Sequence, residues 1–137
     1  MATDANLIGK AEQACESAAL LLQHGDIDGA CNPAYYAMFD AARAALLSAG
    51  IAQADVRTHS GLIAAFGLYL VKTGRVDRPL GRTFNRMQEI RLVADYTGNV
   101  VDDDLAAWAV AQARAFVAVA QARAFVAAMR VLLTNAS

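Results

Sequence analysis

Proline is scarce in this chain: there are two in 137 residues. There is also no sustained alternation of apolar and polar residues, which leaves little support for strands. Cysteine is equally sparse, with Cys15 and Cys31 alone. Neither has a Cys or His neighbour at zinc-ligand spacing, so no metal site is expected, and both read as small apolar core residues suited to a reducing cytoplasm. No run approaches 18 unbroken apolar residues, so no membrane span is expected. The opening MATDANLIGK has an early acidic residue and no apolar signal-type core. Net charge is -1, which argues against a generic binder of polyanions.

What the chain does have is alanine-rich helical pattern. A length of 137 residues suits a single domain over 1–137 with one core. A first helix is expected from Thr3 or Asp4 to His24, stopped by Gly25. Asp26 caps a second helix that reaches Ser48 and ends before Gly50. Pro33 conflicts with that helix, because its ring crowds the carbonyl of Gly29 and removes a hydrogen bond. A kink there and a helix start near Asn32 both remain open. Thr58 or Ser60 caps a third helix that runs to Lys72 and stops at Gly74. Pro79 opens a fourth, which continues to about Tyr96. The acidic run Asp102-Asp103-Asp104 suits the positive end of a long fifth helix to about Leu133. Short loops between such helices predict an all-α fold, an antiparallel four- to five-helix bundle with a long C-terminal helix.

The fifth helix contains an exact duplication: AVAQARAFV at 109–117 recurs at 118–126. Nine residues make about 2.5 turns, so each residue of the second copy points away from its twin. Phe116 and Phe125 therefore cannot both face one core. The simplest origin is a tandem duplication tolerated because an alanine-rich helix only grows longer. A helix of about 30 residues spans about 45 Å, so part of it should overhang the bundle. Its exposed Phe and Val would then seek a partner, with a second copy of this protein the nearest candidate.

Polar chemistry concentrates on the second and fourth helices. At about 100° per residue, Asn32, Tyr36, Asp40, Arg43 and Leu47 fall on one stripe of the second helix, beside Phe39 and Leu46. On the fourth helix, Leu80, Phe84, Met87 and Ala94 form an apolar face that Arg91 and Asp95 adjoin. Two accounts fit both sets: a buried network that fixes helix register, or a polar groove between the second and fourth helices. Arg75, Arg78, Arg82, Arg86 and Arg91 against Asp77 and Glu89 leave segment 75–91 with an excess of three positive charges. Arg75, Arg78, Arg82 and Arg86 read as a stripe, either solvated with Glu89 as local partner or a track for phosphates. His59 sits at a helix start, where a cap or a neutral side chain is the plainer role and a catalyst the sharper one. Tyr35, Phe66, Tyr69 and Trp108 read as packing residues.

Three blocks, AYYAMFDAARAALLSAG, RTHSGLIAAFGLYLVKTGR and RMQEIRLVADYTG, together resemble the HEPN domain family in its small stand-alone bacterial and archaeal branch. The resemblance covers nearly the whole chain in order. It implies a helical bundle that commonly forms homodimers. It also implies one of two roles: a metal-free ribonuclease, often a toxin, or the partner of a minimal nucleotidyltransferase in a toxin–antitoxin-like setting. The ribonuclease signature is an Arg followed after four to six residues by a His. No such pair exists here, since no Arg lies four to eight positions before His24 or His59. Related sequences often carry Arg where this chain has Pro33, His where it has Asp40, and in ribonuclease branches a His near Ala94. The resemblance therefore implies a non-catalytic protein that binds a nucleotide, RNA or a nucleotidyltransferase partner, without a cofactor. Its groove would be formed by Asn32, Tyr36, Asp40, Arg43, Arg91, Asp95 and Tyr96. The competing expectation is a divergent ribonuclease using His59, Arg91 and Tyr96.

Overall fold

The computed structural model describes residues 3–51, 58–96 and 102–136, without the side chains of Asp4, residues 93–96 and Ala136. Local chemistry accounts for where each helix begins. Thr3 Oγ1 accepts from Asn6 N at 3.1 Å and opens α1, Asp4–Gln23. Asp26 accepts from Gly29 N at 3.0 Å and opens α2, Ile27–Ser48. Thr58 accepts from Gly61 N at 2.9 Å and opens α3, His59–Phe66. Asp102 accepts from Leu105 N at 2.7 Å and opens α5, Asp103–Ala136. Each such cap stabilises its helix by about 1 kcal/mol. Between α3 and α5 runs α4, Arg78–Tyr96, with Pro79 in its first turn, where a missing N–H is harmless.

Helix ends are equally local. Gly25 at φ 84° and Gly50 at φ 82° reverse the chain after α1 and α2. At the first, Asp26 N donates to Leu21 O at 2.9 Å and Gly25 N to Leu22 O at 3.1 Å, which satisfies carbonyls the helix leaves open. As expected, Asp26 caps an α2 that runs from Ile27 to Ser48 with Pro33 inside it, so the alternative start near Asn32 does not occur. One feature differs from the sequence expectation: α3 does not run on as a plain helix. Gly67–Val71 forms a wider π turn, closed by Lys72 N donating to Gly67 O at 2.8 Å. Wide turns of this kind have no dedicated residue signature. Here Val71 Cγ2 sits 3.0 Å from where a Cβ on Gly81 would be, so the glycine gives α4 a close approach to this turn.

The closest packing joins α1, α2 and α5, with α4 against α2 and α3 bridging them. Alanines at 34, 37, 41, 42, 44 and 45 of α2 are buried, so its neighbours approach closely on several sides. Phe66, Phe84 and Phe116 form an aromatic core with centroids 5.2–5.5 Å apart. Cys15 and Cys31 are buried thiols not joined in a disulfide, and burial pushes the Cys15 thiol pKa up. Tyr69 departs from its expected packing role and is 38% exposed.

The duplicated segment behaves as its period requires. Phe116 of the first copy is 2% exposed, and Phe125 of the second is 67% exposed. Beyond Ala120, α5 still packs Ala124 against Leu7, Ile8 and Ala44, while Phe125, Met129, Leu132 and Leu133 form an exposed apolar row at i, i+4, i+7 and i+8. Residues Asp103–Asn135 are long and apolar enough to cross a membrane by length and composition alone. The helix is nonetheless built into the bundle through Ala106, Ala109, Val110, Ala113, Phe116 and Val117. This pair of identical nonapeptides yields a clean test. Phe116→Ala should lower unfolding free energy by about 3–5 kcal/mol, and Phe125→Ala by under about 0.5 kcal/mol; urea denaturation reads both.

Candidate functional site

The polar line of α2 divides between two neighbours. Asn32, Tyr36 and Asp40 line an open groove of about 400 Å³ against α1, opposite Lys10, Gln13 and Ser17. This differs from the expected groove between the second and fourth helices. Burial raises the Asp40 pKa, and the charges of Lys10 and Arg43 partly oppose the rise. Arg43 is half-buried one turn further along. Asp95 and Tyr96 lie at the end of α4, but their side chains fall outside the described residues, as does that of Ala94.

On the other side of Tyr36 the structure gathers five side chains from three helices. Tyr35, Tyr36 and Phe39 come from α2, His59 from the start of α3, and Arg91 from α4. His59 is 4.6 Å from Phe39, 5.3 Å from Tyr35 and 5.9 Å from Tyr36, centroid to centroid. Tyr35 and Tyr36 meet edge to face at 5.7 Å. The Arg91 guanidinium lies 5.1 Å from the Tyr35 ring centre and 5.8 Å from that of Tyr36. Attraction between a cation and ring faces at this range is worth about 0.5–2 kcal/mol.

The cluster's titration follows from this packing. Burial first, and then the Arg91 cation, lowers the His59 pKa below the ordinary 6.5. This favours the neutral imidazole, the form that accepts a proton. Tyr35 is fully buried, and its hydroxyl has no hydrogen-bond partner among the described residues. Burial pushes its pKa up to about 12, against the pull of Arg91. Tyr36, 38% exposed, is the rim of the cluster. Sequence reads Tyr35 as packing and Phe39 as a neighbour of the polar line, and the spacing of α2 alone does not reveal that they meet His59. The adjacency of two tyrosines was the available signal.

The expected arginine stripe is also divided. Arg78, Arg82 and Arg86 are exposed on α4, and Arg86 pairs with Glu89 at 3.7 Å. Arg75 precedes α4 and turns to α5, where its carbonyl accepts from Arg123.

A family model for the HEPN domain matches residues 5–129. The chain belongs to the HEPN family. A "UPF0332 protein" of Thermotoga maritima is 40% identical over 93 residues, covering 68% of this chain and 67% of that protein. A protein of Methanocaldococcus jannaschii named "Putative toxin MJ0605" is 32% identical over 111 residues, 81% of each chain. A second one from that organism, "Putative toxin MJ0142", is 32% identical over 94 residues, covering 69% of this chain and 62% of that protein.

Asp40 gives a pH test of the α1–α2 groove. A folded pKa above the ordinary 3.8 means that Asp40 contributes stability fully only below that value. The contribution is lost as pH rises through the folded pKa. Asp40→Asn should therefore melt at a higher temperature than wild type at pH 7, and the gap should close as pH is taken below 3.8. Calorimetry across that range reads the effect.

Proposed function

We propose that this HEPN protein binds RNA or a nucleotide at the Tyr35–Tyr36–Phe39–His59–Arg91 cluster without cleaving it, in a toxin–antitoxin-like setting. The observation that carries this reading is the Arg91 guanidinium held 5.1 and 5.8 Å from two tyrosine rings, one of them exposed. Aromatic faces stack bases in a sequence-tolerant way, worth about 1–3 kcal/mol per base. A guanidinium recognises phosphate oxygens in a paired, planar fashion. The names of the archaeal relatives support the toxin-like setting. Absence of the family's Arg-to-His spacing supports binding without cleavage.

A second reading rests on one specific contact. His59 and Arg91 approach the same two tyrosine rings from different helices. They could divide ribonuclease work, the neutral imidazole taking the 2'-hydroxyl proton and the guanidinium steadying phosphate charge. One set of measurements separates the readings. Anisotropy with labelled single-stranded RNA should show binding by wild type, at least tenfold weaker in Tyr36→Ala and in Arg91→Ala, with the RNA intact. Cleavage by wild type that disappears in His59→Ala would replace the first reading with the second. Absence of binding and of cleavage would remove both.

Partners follow from the exposed end of α5. We propose that its row of Phe125, Met129, Leu132 and Leu133 pairs with a second copy, and that a minimal nucleotidyltransferase is the heterologous partner. Exposed apolar rows of this length are covered in stable soluble assemblies. Phe125→Glu combined with Leu132→Glu should convert a concentration-dependent dimer into a monomer in sedimentation velocity runs, with the melting temperature unchanged.

A further inference from the structure

Three arginines converge at the far side of α5. A cavity of about 500 Å³ lies between the end of α2, the turn before α4 and the second half of α5. Arg75, Arg123 and Arg130 line it, with Ser48 and Val126. It shares no residue with the aromatic cluster. Arg123 is pinned in place, since its Nη1 donates to the Arg75 carbonyl at 2.6 Å. Its Nε is buried and has no hydrogen-bond partner among the described residues. None of the three arginines forms an ion pair among the described residues. Burial, and then the charges of Arg75 and Arg130, pull the Arg123 pKa down.

Like charges gathered without a counter-ion repel, and a partly buried position strengthens the repulsion. One local anion substitute exists. The carbonyl end of α2, at Ser48 and Ala49, faces the same cavity and carries about half a negative charge. Half a charge does not balance three guanidinium groups. A bound anion would attract all three guanidinium groups, offset their mutual repulsion and supply an acceptor for Arg123 Nε. Guanidinium forks fit phosphate oxygens in bidentate pairs, and a cavity of this size is that of a small-molecule site.

The duplication explains why the site exists. Arg114 and Arg123 are the same residue of the two copies. Arg114 lies close enough to Cys15 on α1 to influence that thiol. Nine residues later the helix has turned by about half a revolution, and Arg123 meets Arg75 instead. The second copy thus supplies the central arginine of the cavity.

We infer that the Arg75–Arg123–Arg130 cavity binds a small polyanion carrying two or more phosphate groups. The test is isothermal titration of the full chain with sodium tripolyphosphate at low ionic strength. Wild type should bind one equivalent per chain, and affinity should fall steeply as salt is added. Arg123→Gln and Arg75→Gln should each weaken binding at least tenfold, while Arg91→Ala should leave it unchanged. Melting curves without the anion check folding; both glutamine variants should melt close to wild type, because each removes a repulsion, offset in Arg123→Gln by loss of the bond to the Arg75 carbonyl. No binding by wild type, equal binding by both folded glutamine variants, or loss of binding in Arg91→Ala would each overturn the assignment.

Discussion

The placing of α3, α4 and α5 on one another hangs on the contact among Phe66, Phe84 and Phe116. Each ring comes from a different helix, and their centroids lie 5.2–5.5 Å apart. Such aromatic pairs contribute about 0.5–1.5 kcal/mol beyond the area they bury. Their positional consequence is larger. Seating Phe116 fixes α5 in register against the bundle, and seating Phe84 fixes the rotation of α4. Arg91 lies seven residues after Phe84, about two turns further along the same face. Phe66 fixes α3, whose first residue is His59. The candidate site is therefore assembled by core packing some distance from it. Little in the site itself holds these helices together.

Alanine makes this arrangement feasible and also hard to read. A helix such as α2, with buried alanines on several sides, offers no single dominant apolar face. Its neighbours are chosen by the larger side chains on other elements. This is why the polar line Asn32–Tyr36–Asp40 was visible as a line in the sequence while its neighbour was not. Period alone assigns residues to a face, and only packing decides that the face meets α1 at Lys10 and Gln13. Tyr36 stands at the boundary and serves both sides.

Features set by a few adjacent residues were readable in advance. The cap at Asp26, the choice of Thr58 or Ser60 for the third helix, the glycine stops and the opposed fates of Phe116 and Phe125 all follow from local geometry. Features set by contact between distant segments were not. The π turn at Gly67–Val71 lies against α4 at Gly81, a contact between segments that sequence does not place together. The gathering of Arg75 with Arg123 and Arg130 joins residues about fifty apart in sequence. The meeting of His59 with Arg91 required knowing how α3 lies across α2. The second copy of the duplication keeps its small residues Ala120 and Ala124 against the bundle and presents Phe125 and Val126 at the surface.

The central claim is that the aromatic cluster capped by Arg91 is where this HEPN protein meets RNA or a nucleotide. The most direct measurement is ultraviolet crosslinking of a photoreactive single-stranded RNA to the full chain, with the attachment sites mapped by mass spectrometry. The account predicts attachment to Tyr36 or His59, with the RNA recovered at full length. Attachment confined to α5, or RNA recovered as fragments, would contradict it.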